Sequence, residues 1–200
     1  MTKQLLSAAS LLLLTLVPGT QSTPAPTDDT PAYTSGGDLI APIHYREWIY
    51  LTTGIDMSYD APTTPPDHHM FYNVFVNPTA YHSFLATGTW PDKTVMVLEV
   101  RGADSPISIN KRGHTQSAEL MGLETHVKDH GKWGFYDDNG KLIPRSASCY
   151  TCHEAHAAVD TTFVQFYPTL LPLAKQKKTL SPEYLKELPG TPPVAPGAAK

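Results

Sequence analysis

The chain has 200 residues, and its 15 Lys and Arg against 19 Asp and Glu leave a net charge of −4, which gives no electrostatic case for nucleic acid. The only basic run is Lys175-Gln176-Lys177-Lys178, which reads as a solvated helix end or a point that steers a redox partner. No internal repeat is visible, and the length suits one domain with tethered ends.

The N-terminal segment opens with the positive charge of Lys3, followed by an apolar stretch from Leu5 to Val17 and small residues in Pro18-Gly19-Thr20-Gln21-Ser22. This predicts a secretory signal peptide over residues 1–22. An uncleaved anchor is disfavoured because the run of about 13 residues falls short of the ~20 that span a bilayer. With no cysteine near the cleavage position, a lipoprotein anchor is excluded, and no later segment is expected to cross a membrane. Residues 23–37 and 189–200 are proline-rich and poor in apolar side chains, so both read as tethers around a folded domain over 38–188.

Within the domain, Ile43 to Leu51 predicts a helix ending near Gly54, and Met70 to Val76 a strand stopped by Asn77-Pro78. Asn77 is placed to cap a helix with Pro78 in its first turn. Tyr81, Phe84 and Leu85 would form its apolar face, and Gly88 would terminate it. Thr94 to Val100 is apolar on both faces and predicts a strand that is central or pressed against a large ligand. Ser105 to Asn110, Leu120 to Asp129 and Trp133 to Asp137 supply further strands, and Asp138-Asn139-Gly140 a turn. Strand follows strand without regular helical crossovers. The fold class expected is α+β, mainly β: an antiparallel sheet with a few short helices and the cysteine motif near the C-terminal side.

That motif is Cys149-Tyr150-Thr151-Cys152-His153, which holds both cysteines of the chain. Covalent attachment of a c-type haem requires this spacing: each thiol adds to one porphyrin vinyl group, and the adjacent imidazole reaches the iron from the same side. Export agrees with this reading, since such haem is attached outside the cytoplasm, and the expected location is periplasmic or secreted. A redox-active dithiol would use the same cysteines, but no βαβ alternation surrounds them. Zinc fingers place their histidines a dozen or more residues beyond the cysteines. The run His153-Glu154-Ala155-His156 spaces its histidines three apart, where a metalloprotease helix needs four. A structural disulfide would leave His153 without a role.

Phe71-Tyr72-Asn73-Val74-Phe75-Val76-Asn77-Pro78, Trp90-Pro91-Asp92-Lys93-Thr94-Val95, His126-Val127-Lys128-Asp129 and Cys149 through His153 into His156-Ala157-Ala158-Val159-Asp160 resemble the cytochrome P460 family, which includes the cytochromes c′-β. The resemblance runs from about Met70 to Pro168. It implies one covalent haem c, His153 as proximal ligand, a five-coordinate iron with an open distal face, and a homodimer packed through sheet surfaces. It further implies a small nitrogen ligand or substrate, nitric oxide or hydroxylamine, and a redox partner protein. Non-catalytic nitric oxide binding and simple electron transfer are the alternatives.

Hydroxylamine-oxidising members of that family join a lysine to the porphyrin and carry a distal carboxylate. The lysine position falls at or near Leu98, a departure that counts against the oxidase chemistry, and Lys93 or Lys111 would need a shift of several residues to replace it. The carboxylate position falls at or near Glu124, expected to have a raised pKa in an apolar pocket and to relay protons, or to sit in solvent at a strand end. Phe71 and Phe75 are candidates to cap the distal face, with core packing as their ordinary alternative. Met57, Met70, Met96, Met121 and the eight other histidines could by type supply a sixth ligand. His126 could face the haem or serve as a hydrogen-bonded structural histidine. His68 and His69 are expected in an exposed loop, with copper or zinc binding as the alternative.

Overall fold

A computed structural model describes residues 29–59 and 68–189. The expected signal peptide, residues 23–28 of the expected tether, residues 60–67 before His68 and residues 190–200 of the expected tail lie outside the described residues. Strands β1 (Ala32–Tyr33) and β2 (Leu39–Ile40) make a small hairpin, so part of the segment read as a tether is paired backbone. Then β3 (Ile49–Ile55), β4 (Met70–Val76), β5 (Val95–Asp104), β6 (Thr115–Asp129) and β7 (Lys132–Tyr136) form a five-stranded antiparallel meander, each strand beside its chain neighbour. Helices are short: α1 (Pro78–Thr87), α2 (Ser148–His156), α3 (Leu171–Lys177) and α4 (Pro182–Glu187). This is the mainly antiparallel α+β architecture that the sequence predicts. Among the described residues no helix is long and apolar enough to cross a membrane.

Successive side chains on a strand point to opposite faces, and here the two faces have different coverings. On the front, Val76 of β4, Met96 of β5 and Phe135 of β7 pack with Phe84, Trp90, Tyr150 and Leu170 from the helices and loops. On the back, Val95, Val97, Phe75 and Val127 meet Leu39 of the hairpin and Tyr45. Beyond Val97 on the same face of β5, Glu99 is wholly buried. Its carboxylate accepts from Tyr45 Oη at 2.5 Å, Arg46 Nη2 at 2.5 and 2.6 Å, Arg101 Nε at 2.8 Å and Asn73 Nδ2 at 3.0 Å. Burial alone would raise its pKa; the hydrogen bonds from Arg101, Tyr45, Asn73 and Arg46 outweigh that and hold it down to about 2.

Several local expectations are corrected. Ile43 to Leu51 is not a helix but a single 3₁₀ turn, Tyr45–Glu47, leading into β3. The aromatic and β-branched run from Ile49 to Thr53 suits a pleated, half-buried surface, and β4 satisfies its backbone. Gly54 lies inside β3, where a Cβ would stand 2.1 Å from Met57 Sδ. Ser105 to Asn110 is the irregular tip joining β5 to β6: Pro106 has no N–H for a ladder, and Ser108 takes φ +60°. On α1, Ala80 and Phe84 are buried while Leu85 is exposed. Asn77 does flank that helix, but its side chain turns to the sheet, donating to Lys93 O and accepting from Val95 N; Asp29 Oδ2 accepts from Thr79 N in its place. Gly88 ends α1 in the left-handed conformation, as predicted.

The predicted turn after β7 also holds the hairpin. Gly140 has φ +72°, a Cβ there would stand 2.0 Å from Leu39 O, and Leu39 N donates to Gly140 O at 2.9 Å. Gly140→Ala is expected to cost about 2–3 kcal/mol. A urea titration should show the lowered midpoint, with amides of β1 and β2 losing hydrogen-exchange protection first.

Candidate functional site

The front face of the sheet and the segment from α2 to Tyr167 enclose an apolar cavity of about 470 Å³. Thr52, Tyr72, Val74, Met96, Leu98, Glu124 and His126 line it from the strands, and Cys149, Cys152, His153, Phe163 and Tyr167 from the opposite wall. The size falls within the range of small-molecule and cofactor sites, roughly 300–1,000 Å³.

Helix α2 brings Cys149, Cys152 and His153 to this one cavity. The positions three apart lie one turn of helix apart, so both thiols, which are free and half-buried, line the same wall. The His153 ring is wedged between Phe163 (4.2 Å between centroids) and Phe135 (4.7 Å). Its Nδ1 donates to Thr161 O at 2.8 Å, which fixes the tautomer and leaves Nε2 as the nitrogen available to ligate. Burial, with the nearby His126, pushes the imidazole down to about 4, so it is neutral at neutral pH and its second ring nitrogen carries no proton.

The Thr161 carbonyl is held by an unusual turn. Val159 and Thr162 exchange backbone hydrogen bonds (2.8 and 3.3 Å), and between them Asp160 and Thr161 both have positive φ, +48° and +57°. Two positive central residues define a mirror-image β-turn, tolerated by aspartate but strained for a β-branched threonine, at a cost on the order of 1–3 kcal/mol. Trp90 Nε1 donates to Thr162 Oγ1 at 2.8 Å, and Lys128 Nζ donates both to Trp90 O (2.7 Å) and to Asp160 Oδ2 (2.6 Å).

Leu98 and Glu124 are direct cross-strand partners on β5 and β6, and both line the cavity. Glu124 is half-buried and accepts from His126 Nε2 at 2.6 Å. Its pKa is lowered, not raised as expected: burial pushes it up, but the hydrogen bond from His126 outweighs that. Glu124 is therefore a carboxylate at neutral pH. His126 lines the cavity and is also a hydrogen-bonded histidine, donating to Glu124 while its ring stacks on Phe135 at 3.8 Å.

Phe71 and Phe75 do not cap this cavity. They occupy odd positions of β4, while its cavity-lining residues are Tyr72 and Val74, so the pleat carries both phenylalanines to the back face. Phe75 packs there against Tyr45 at 5.5 Å. Among the described residues no lysine lines the cavity: Lys93 Nζ is bonded to Asp129, and Lys111 Nζ to Ser108 O at the ribbon tip. Of the methionines, Met57 and Met96 line it, and Met121 is exposed. His68 is exposed; His69 Nδ1 lies 2.6 Å from Asp56 Oδ2. Among the described residues no group of three or more His, Cys, Asp or Glu side chains is arranged to hold a metal ion. Tyr72, Val74, Phe163 and Tyr167 went unpredicted. The alternation within β4 separates its two sets of side chains but does not say which set faces a ligand.

The residues present fit a haem. Two thiols and an imidazole with a committed second nitrogen share one wall, and the remaining lining is mainly apolar and aromatic. The family model for Cytochrome P460 matches residues 42–164, a span that contains β3 to β7, α2 and most of the cavity lining, Tyr167 lying just beyond it. No curated protein matches the chain.

Proposed function

This chain belongs to the cytochrome P460 family, and from that premise we propose that it is an exported, monohaem c-type cytochrome that binds or redox-transforms a small nitrogen species, nitric oxide or hydroxylamine, at an open iron. The observation that carries this reading is the convergence of Cys149, Cys152 and His153 on one apolar cavity, with His153 Nδ1 already donated to Thr161 O. Cys149 and Cys152 would hold the porphyrin and His153 the iron, and the haem would supply the metal and the redox chemistry. The chain's own part is to fix the imidazole, keep water scarce with Val74, Leu98, Met96 and Phe163, and present one carboxylate, Glu124, to a ligand. Ionised and hydrogen-bonded to His126, Glu124 would accept a proton from a bound N–H or O–H. With Leu98 where the oxidases carry lysine, no porphyrin cross-link is expected, which favours ligand binding over rapid oxidation. A homodimer, a redox partner protein and a periplasmic or secreted location complete the proposal.

The optical spectrum of the ferrous protein tests it. A five-coordinate high-spin spectrum that changes on adding nitric oxide supports the reading. A six-coordinate low-spin spectrum overturns the open iron and favours an electron carrier, with Met57 or Met96 in the cavity as the candidate sixth ligand. Should hydroxylamine be turned over, Glu124→Gln is expected to slow it by about a hundredfold with haem retained, in steady-state assays with an electron acceptor. Unchanged rates would remove the proton role.

A further inference from the structure

The part-buried ion pair behind the proximal histidine has no part in attaching or ligating a haem. Lys128 is only 14% exposed, and its ammonium reaches from β6 to the turn after α2, meeting Asp160 Oδ2 at 2.6 Å and Trp90 O at 2.7 Å. Asp160 occupies the first positive-φ position of that turn, and the next residue, Thr161, presents the carbonyl that receives His153 Nδ1–H. A β-branched residue leaves this conformation readily unless its surroundings hold it, and turning the backbone of Thr161 to negative φ would swing its carbonyl toward the opposite side of the turn. The surroundings here are Lys128 on Asp160, Trp90 Nε1 on Thr162 Oγ1, and the paired Val159 and Thr162 backbones.

We propose that the Lys128–Asp160 pair is a positioning device that locks the strained turn and so sets the strength of the Thr161 carbonyl's hydrogen bond to His153. This rests on the reading of His153 as the haem ligand. A strong Nδ1–H···O=C bond gives the imidazole more anionic character, which favours ferric over ferrous iron and strengthens the iron–nitrogen bond. The two residues act through Thr161 and His153 and touch neither haem nor substrate.

The test compares Asp160→Asn, which tolerates positive φ and keeps the side-chain shape but loses the charge, with Lys128→Met, which keeps the apolar stem and loses the ammonium, and with Lys128→Arg as the rescuing control. Each is matured with haem, checked for attachment by intact mass, and examined by resonance Raman and by redox titration. The expected result is attached haem throughout, a lowered iron–histidine stretching frequency and a positive shift of midpoint potential in Asp160→Asn and Lys128→Met, and values near the parent in Lys128→Arg. Attached haem with frequency and potential unchanged in both charge-removing variants overturns the device while leaving the haem reading intact. A parent protein with no attached haem overturns both.

Discussion

Protein matured in a host competent for c-type cytochromes is expected to carry covalent haem, and to lack it when Cys149 and Cys152 are both replaced by alanine. The intact mass should fall to that of the bare chain, and denaturation in acid should release whatever porphyrin remains. The effect on stability is expected to be large, because the wall of the cavity would face water in place of a bonded aromatic ring. A loss of about 3 kcal/mol or more, roughly 10 °C in Tm for a domain of this size, is the expected scale. His153→Ala separates attachment from ligation: the thioether bonds should form, while the spectrum loses its histidine-ligated character and Phe135 and Phe163 lose the ring wedged between them. If the parent chain carries no covalent mass, the reading of Cys149, Cys152 and His153 fails at its root.

The second large effect belongs to Glu99, on the face of the sheet turned away from the cavity. Glu99→Ala would leave Arg101, Arg46, Tyr45 and Asn73 directed at an empty, buried space. Breaking a buried pair in this way costs about 3–5 kcal/mol, because the partners keep their desolvation without their counter-charge. The same carboxylate should make the protein acid-sensitive. Its pKa is about 2 when folded against an ordinary 4.5, so its contribution is fully present above pH 4.5 and is lost as the pH falls toward 2. By linkage that contribution is about 3 kcal/mol. Urea titrations of the parent between pH 6 and 2 should show stability falling across this window, and Glu99→Gln should flatten the dependence. A parent curve without that fall would show that the network is not under this tension.

Cys149, Cys152 and His153 were legible as a candidate haem site because the chemistry proposed for them is local. One turn of helix fixes the distance between Cys149 and Cys152, and His153 follows in the chain, so no long-range contact had to be known. The strand Thr94 to Val100 and the helix boundaries at Pro78 and Gly88 were legible for the same reason: each rests on an intrinsic backbone or side-chain preference. Glu124 and Leu98 came from a family resemblance, and only the pairing of β5 with β6 shows that they stand side by side on the cavity face. Phe71 and Phe75 illustrate the opposite case. Both are aromatic and sit in the right strand, yet a period-two alternation offers two faces and carries no label for which one meets the ligand. The segment Ile43 to Leu51 failed as a helix because its aromatic spacing fits either period, and only β4 beside it decides.

By itself the sequence determined that two thiols and an imidazole can act together, that strands predominate over helices, and where α1 begins and ends. Tertiary structure alone decided which side of the sheet those groups face, that Glu124 stays ionised, that Glu99 is buried among two arginines, and that Lys128 braces the turn behind His153. The reason is one of range. Motif spacing and backbone preference act within a few residues, whereas a carboxylate's charge state and a histidine's hydrogen bond depend on groups brought together from distant parts of the chain, whose positions follow only from strand register and packing.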